Sequence, residues 1–332
     1  MEGRLMERVK ISQTTLGALQ RGAILTRTPV AVYVLRGPGT VQCLQGIFTN
    51  DVVKPGEHAL VYGAFLTPKG MIVADAWLLR LPDRAIIVTH PAAREQLDLI
   101  FQKSLPPRLT RIDPGSADLG ALWVLGPRAA ELSTELGLTV PERPGTVTLL
   151  GPGPGAPIAA RPAAGAAFGM LFLGGKTTLD PIGEALLGAG AHEGGDDEFA
   201  AAHILAGWPR LQTEIGERTL PQEVRFEEVG GLSYTKGCYT GQETVARLHF
   251  RGHTNRELRG LIWEGAPVLE GDIVSATDGK EVGIITSVLD LPSGTVGLSL
   301  IRRDIPDGGM VTAGGWAART ILLPFQLDLV TR

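Results

Sequence analysis

The chain contains only two cysteines, Cys43 and Cys238, in 332 residues. Two thiols cannot build a disulfide framework, and within one chain they cannot supply a four-thiolate metal site or cluster, so no metal site is expected. Runs of about 18 apolar residues are absent, as is a signal-peptide pattern, so no membrane contact is expected and a reducing cytoplasm is the expected compartment. Neither sign of charge is in large excess. A formal net charge of −4 and a pI near 5.9 argue against bulk nucleic-acid binding while leaving room for a local basic site. What is abundant is glycine, 44 residues, and proline, 23, which implies many turns and short elements rather than a helical bundle. With 44% hydrophobic residues there is ample material for the cores of two or three units.

One stretch organises the rest: residues 236–243, read K-G-C-Y-T-G-Q-E. Thr240 and Glu243 have the T-x-x-E spacing of a capping box, which predicts a helix running on through Leu248. Cys238 would then lie two residues before the N-cap, where unpaired helix N–H groups and the Lys236 ammonium both favour a thiolate. Gly237 and Gly241 tolerate unusual dihedrals and allow close approach of another backbone or a ligand. The residues alone leave two readings open, an activated thiolate or a small hydrophobe in a tight loop.

This octapeptide, followed by Val245, Ala246, Arg247 and then Phe250, Arg251 and Gly252, resembles the signature of the YgfZ-type folate-binding proteins. Those proteins are relatives of the glycine-cleavage T protein, an aminomethyltransferase, and are linked to iron–sulfur cluster assembly or repair and to tRNA modification. Two further segments are similar to that superfamily: L-Q-G-I-F-T-N-D-V over 44–52 and F-L-T-P-K-G-M-I-V-A-D over 65–75. Read on their own, Thr49, Asn50 and Asp51 are turn chemistry, and 65–75 is a β-hairpin turning at 68–70. In the aminomethyltransferases the second strand of that hairpin has paired aspartates, one of which helps position the folate and its reacting amine. Here the pair is Ala74 and Asp75. Those enzymes also have a glutamate, expected at the pterin edge, at the place of Leu205, and related proteins often have an arginine at the place of His203. The resemblance therefore implies tetrahydrofolate as cofactor, with Asn50, Asp75, Tyr239, Glu243 and Arg247 as candidate binding residues. It implies Cys238, Lys236 and Asp75 as candidates for the chemistry, while Ala74 and Leu205 set the chain apart from true transferases. Asp75 read without it is equally an outward-facing strand residue.

Along the chain, Leu16, Leu19 and Ile24 are expected to pack a weakly helical N-terminus onto the body, and 30–35 reads as a buried strand. A short helix follows, carrying Val41, Leu44 and Phe48 inward, with Cys43 as a core residue. Strands are predicted at 76–81 and 85–89, and a helix at 92–105 with Leu97, Ile100, Phe101 and Leu105 on one stripe. A second unit repeats this order without a sequence repeat: strand 119–125, helix 128–136, a proline-glycine loop at 151–157, strand 169–173 and helix 180–187. Gly174, Gly175, Lys176 and Thr177 imitate the end of a phosphate loop, but Met170 stands where a glycine is required. Gly188, Gly190 and Gly194 miss the dinucleotide-binding spacing by one residue. A helix is predicted over 196–205. After the octapeptide comes a basic cluster, Arg247, His249, Arg251, His253, Arg256 and Arg259, open to three readings: a solvated face, a site for the folate tail, or an RNA contact. Five strands at 258–263, 272–276, 281–288, 294–301 and 317–323 then suggest a small antiparallel barrel.

The fold expected is α+β, a three-lobed arrangement like that of the T protein and the YgfZ type. Two α+β lobes, about 28–115 and 116–195, are closed by 196–255 around a central folate site within a region spanning 1–255, and 256–332 form a C-terminal antiparallel β-barrel. The function implied is a tetrahydrofolate-binding factor that supports assembly or repair of iron–sulfur enzymes, with folate and iron–sulfur client or assembly proteins as partners. The alternatives are a folate-dependent aminomethyltransferase or demethylase, and a non-catalytic interaction scaffold.

Overall fold

Strand pairing gathers the chain into two sheets in a computed structural model that describes residues 8–153 and 155–326. Residues 1–7, Pro154 and 327–332, which the readings of the N-terminus, the proline-glycine loop and the barrel include, lie outside the described residues. The strand β1 (Val9–Lys10), the helix α1 (Gln13–Arg21) and the strand β2 (Ile24–Thr26) come first, with Leu16 and Ile24 buried as expected.

The first unit follows as β3 (Ala31–Arg36), α2 (Thr40–Gln45), β4 (Ala59–Leu66), β5 (Ile72–Arg80), β6 (Ala85–Thr89) and α3 (Arg94–Ser104), with a short β7 (Arg111–Ile112) after it. The second is β8 (Leu119–Leu125), α4 (Ala129–Glu135), β9 (Thr146–Leu149), β10 (Ile158–Arg161), β11 (Met170–Gly175) and α5 (Lys176–Gly188), with β12 (His192–Glu193) after it. Both share not only the order of elements but the order of strands in the sheet, β4-β5-β6-β3 in one and β9-β10-β11-β8 in the other. The duplicated layout is therefore present, and the two halves meet where Ala59 of β4 pairs with Thr146 of β9, making one 11-stranded sheet.

Strand alternation gives this sheet two apolar faces, and both must be covered. Tyr33, Leu35, Phe65, Ala74 and Leu78 pack beneath α2 and α3, and Leu122, Val124, Met170 and Phe172 beneath α4 and α5. The opposite face, with Val34, Tyr62, Trp77, Ile86 and Trp123, shares one core with α6 (Asp196–Ala206) and with Leu289 and Leu298 of the C-terminal sheet. Each such side chain contributes roughly 1.5–3 kcal/mol on burial, so the C-terminal sheet is part of what holds the first one together.

That C-terminal sheet is a closed barrel of six strands: β13 (Arg256–Trp263), β14 (Ile273–Ser275), β15 (Glu281–Leu291), β16 (Gly294–Arg302), β17 (Met310–Ala313) and β18 (Trp316–Ile321). The ring runs β15-β14-β17-β18-β13-β16 and closes by pairing β16 with β15. Sequence periodicity predicts five strands. The sixth, β17, is only four residues long and is joined to β18 by Gly314 and Gly315, both at positive φ, a two-residue hairpin turn. β1 lies parallel to the far end of β15, tying the start of the chain to the barrel. No helix among the described residues is long and apolar enough to cross a membrane.

The helix expected after the octapeptide is α7 (Gln242–Arg251), but the capping box is not formed. Its N-cap is Gly241 at φ 83°, with no side-chain cap bond, in place of Thr240. The cause is close packing: a Cβ at Gly241 would come within 2.7 Å of the Thr67 carbonyl oxygen and 3.1 Å of Gly70 Cα, in the turn of the β4–β5 hairpin. Only glycine fits that conformation and that gap. Gly237, given the same role from sequence, has nothing within 4 Å of an added Cβ. Gly241→Ala is expected to destabilise the protein by about 2 kcal/mol or more, and Gly237→Ala to change it by less than about 0.5 kcal/mol. Urea unfolding of the two variants checks this, and equal effects would contradict the packing described.

Candidate functional site

Tyr62 on β4 and Trp77 on β5 are direct cross-strand partners, with ring centroids 4.9 Å apart. A third ring arrives from another part of the chain. Gly207, left-handed at φ 59°, ends α6 and turns the backbone so that Trp208 stacks on Trp77 at 5.6 Å and 14° and meets Tyr62 at 4.8 Å. A half-buried arginine and a buried glutamate hold that turn. Arg225 donates to the carbonyls of Ala206 (3.2 Å) and Gly207 (2.7 Å), and Glu214 accepts from the Arg210 amide (3.0 Å) and from the Ser287 hydroxyl of the barrel (2.7 Å).

Between this turn, α6 and the sheet lies a cavity of about 380 Å³, walled by Trp77, Trp123, Phe199, His203 and Trp208, with Asp75 and Arg210 on its lining. Thr28 Oγ1, Trp123 Nε1 and Arg210 Nε, all on lining residues, are buried without a hydrogen-bond partner. Buried polar atoms are nearly always bonded, so three unpartnered ones on the lining of one cavity set it apart.

The cavity's electrostatics follow from burial. Asp75 is pushed up to about 6, chiefly because burial penalises its charged form; the Tyr62 hydroxyl, donating to Oδ2 at 3.0 Å, pulls the other way, and the Glu214 charge adds to the rise. Tyr62 is itself raised well above its usual value by burial and by that carboxylate. His203 is lowered to about 3 by burial and by Arg210, so the ring is neutral at physiological pH. Its Nδ1–H donates to the Phe199 carbonyl at 2.8 Å, which leaves Nε2 as an acceptor.

Of the candidate site residues named from sequence, only Asp75 lines this cavity; His203, read there as a place where related proteins have an arginine, lines it too. Others are joined to it in a line of hydrogen bonds. Asn50 Nδ2 donates to the Tyr62 carbonyl (2.8 Å) and to that of Gly230 (2.7 Å), and the buried Lys236 ammonium donates to the carbonyls of Phe48 (2.5 Å) and Asn50 (2.8 Å). Burial lowers Lys236 to about 8, with Asp51 opposing. The ammonium also lies 5.0 Å from the centre of the Tyr239 ring, whose hydroxyl is buried without a partner and pushed up to about 12 by burial. Cys238 is a free, exposed thiol between these two residues, and Cys43 a free, half-buried one that packs against the first unit's core. Glu243 and Arg247 are exposed on α7. No group of three or more His, Cys, Asp or Glu among the described residues is placed to hold a metal ion.

Two replacements read from the resemblance face elsewhere. Ala74 points into the core beneath α2 and α3, and Leu205 lines a second, shallower cavity of about 400 Å³ beside Ala202 and Ala206. The aromatic walls were not found from sequence, since Trp77, Trp123, Phe199 and Trp208 come from four separate segments. The one local signal was Gly207-Trp208-Pro209, which reads as a helix break.

Comparison with known proteins agrees with this architecture. The family model described as the GCVT N-terminal domain matches residues 20–140. Curated relatives called tRNA-modifying protein YgfZ are 26% identical over 310 residues in Enterobacter sp. (strain 638), covering 90% of this chain and 91% of the relative. The protein of that name in Cronobacter sakazakii is 28% identical over 319 residues, with the same coverage. Among solved structures, the glycine cleavage system aminomethyltransferase T from Bartonella henselae superposes with a TM-score of 0.80 over 94% of this chain and 88% of that one, at 18% identity. The chain is thus a relative of the YgfZ proteins, built on the fold of the glycine-cleavage aminomethyltransferases.

Proposed function

We propose that this protein binds tetrahydrofolate in the Asp75 cavity and serves assembly or repair of iron–sulfur enzymes, with Cys238 as its reactive thiol. One observation carries the binding half: aromatic walls and three unpartnered buried polar atoms surround a single cavity of about 380 Å³. A pterin ring is flat, apolar on its faces and polar at its edges. The stacked Trp77–Trp208 pair suits one face, and Thr28, Trp123 and Arg210 suit the polar edges. A one-carbon derivative of tetrahydrofolate, when bound, would supply a one-carbon unit. The chain itself supplies Asp75, which burial pushes up to about 6 and which can hold or take up a proton at Oδ1, while the Tyr62 hydroxyl fixes Oδ2.

The iron–sulfur half rests on the resemblance to the YgfZ type, and the relatives' name adds tRNA modification as the process served. Cys238, exposed just before α7, is open to a client protein. Lys236 fixes its loop by binding two carbonyls of the Asn50 turn. Aminomethyl transfer is the second reading, favoured by the carboxylate Asp75 on the cavity lining, and a one-carbon transfer assay with a free amine decides between them.

Anaerobic calorimetry is expected to show tetrahydrofolate binding by the wild type, binding weakened at least about 10-fold by Trp208→Ala, and unchanged binding by Cys238→Ser. In cells, Cys238→Ser is expected to lower the activity of iron–sulfur enzymes all the same. No binding by the wild type, or equal binding by Trp208→Ala, would remove the cavity from the proposal.

The pH dependence of stability gives a second test. Asp75 rises from 3.8 to about 6 in the folded state, so its favourable contribution is complete below about pH 4 and is lost as the pH rises through about 6. Asp75→Asn keeps an acceptor for Tyr62 and cannot ionise. Urea unfolding is therefore expected to find it more stable than wild type at about pH 8, by on the order of 3 kcal/mol, and equal at about pH 4. Tyr62→Phe removes the bond that favours the carboxylate and is expected to move that pH midpoint upward.

A further inference from the structure

The basic cluster after the octapeptide is not absorbed by the cavity, and its members fall into two sets. Arg256 is held by Glu223, with Nε at 2.7 Å from Oε1, Arg259 is paired with Glu257, and His249 Nδ1 lies 3.2 Å from Glu227. Arg247, Arg251 and His253 have no ion-pair partner among the described residues. The groove where the segment after α7 meets the end of β16, about 690 Å³ and open, adds Arg303 to this second set; Arg302 and Asp304, also on its lining, pair with each other. Arg247 and Arg251 are one turn apart and so share a face of α7. Phe250 stands between them in sequence, 68% exposed, which for a phenylalanine at the end of a helix is unusual. Its ring meets that of His249 edge-on at 4.7 Å, and His249 stacks on Tyr234 at 3.7 Å and 16°.

We propose that this face binds single-stranded RNA, with Phe250 as a stacking platform for a base and Arg247, Arg251 and Arg303 on the phosphates. Charge complementarity alone would equally suit an acidic peptide. The exposed ring among the cations favours the nucleic acid, because every base offers a flat face to stack while an acidic peptide leaves the ring unused. A single strand is favoured over a duplex, whose bases are already stacked on one another. The face is separate from the Asp75 cavity, so the two proposals stand or fall apart.

Fluorescence anisotropy of the full chain with a short, labelled single-stranded RNA of mixed sequence tests this. Binding is expected to weaken with salt, with a slope of log K against log salt of about −2 for three phosphate contacts. Phe250→Ala is expected to lower affinity about 5- to 150-fold, the range for one stacked base. Arg247→Gln with Arg251→Gln is expected to flatten the slope by about 1.4, and Arg303→Gln, on a different element, by about 0.7. These residues lie on the surface, so thermal unfolding is expected to be unchanged in each variant, and tetrahydrofolate binding to be unchanged by Phe250→Ala and by Arg303→Gln. Salt-independent or absent RNA binding, indifference to Phe250→Ala, or tighter binding of a polyglutamate peptide than of RNA would overturn the proposal, the last in favour of an acidic protein partner.

Discussion

Tyr62 is enclosed on every side, and its hydroxyl must find an acceptor inside the protein. Its cross-strand partner is Trp77, and Asp75, two residues earlier on the same face of β5, is the diagonal neighbour that a long side chain reaches. The rest of the site follows from this bond. The tyrosine ring fills the space between Trp77, Trp208 and Phe226, its carbonyl receives Asn50, and its hydroxyl sets one oxygen of Asp75. The carboxylate stays close to neutrality in pKa because burial raises it more than the phenol lowers it.

Buried and half-buried polar groups join the parts of the chain around that centre. Lys236 ties the octapeptide to the Asn50 turn, Glu214 ties the Trp208 turn to the barrel, Glu223 ties the approach to the octapeptide to β13 through Arg256, and Arg225 ties α6 to Leu323 near the end of the described chain. Burying such groups carries a desolvation penalty, so each adds geometric definition more surely than net stability. Losing one partner leaves the other unpaired, which makes these positions intolerant of change although none of them touches the cavity.

Much of the fold could be read in the sequence because it rests on local signals. The hairpin at 65–75 has its turn residues, α3 has its apolar stripe, and the two units follow one order of elements. β17 was missed because four residues give too little alternation to count, although Gly314-Gly315 marked its turn. The capping box failed for a reason outside its own residues, the approach of the β4–β5 turn to Gly241. The site was legible only in part. Asp75 was reached through its motif, whereas the aromatic walls come from four segments that only the folded chain brings together. Lys236 reads as a free cation beside Cys238, yet the fold directs its ammonium to two backbone carbonyls.

The octapeptide and the cavity thus occupy linked but different places: one an exposed thiol on a braced loop, the other an aromatic slot lined by the carboxylate whose pKa burial raises, Asp75. Asn50 and Tyr62 bridge them in the hydrogen-bonded line described above. The central claim is the location of the ligand, and a crystal structure of the protein soaked with tetrahydrofolate tests it most directly. The expected result is density for the ring system against Trp77 and Trp208, within hydrogen-bond reach of Asp75 and Arg210. Density in the cavity beside Leu205, or against Tyr239, Glu243 and Arg247 with the aromatic slot empty, would contradict it.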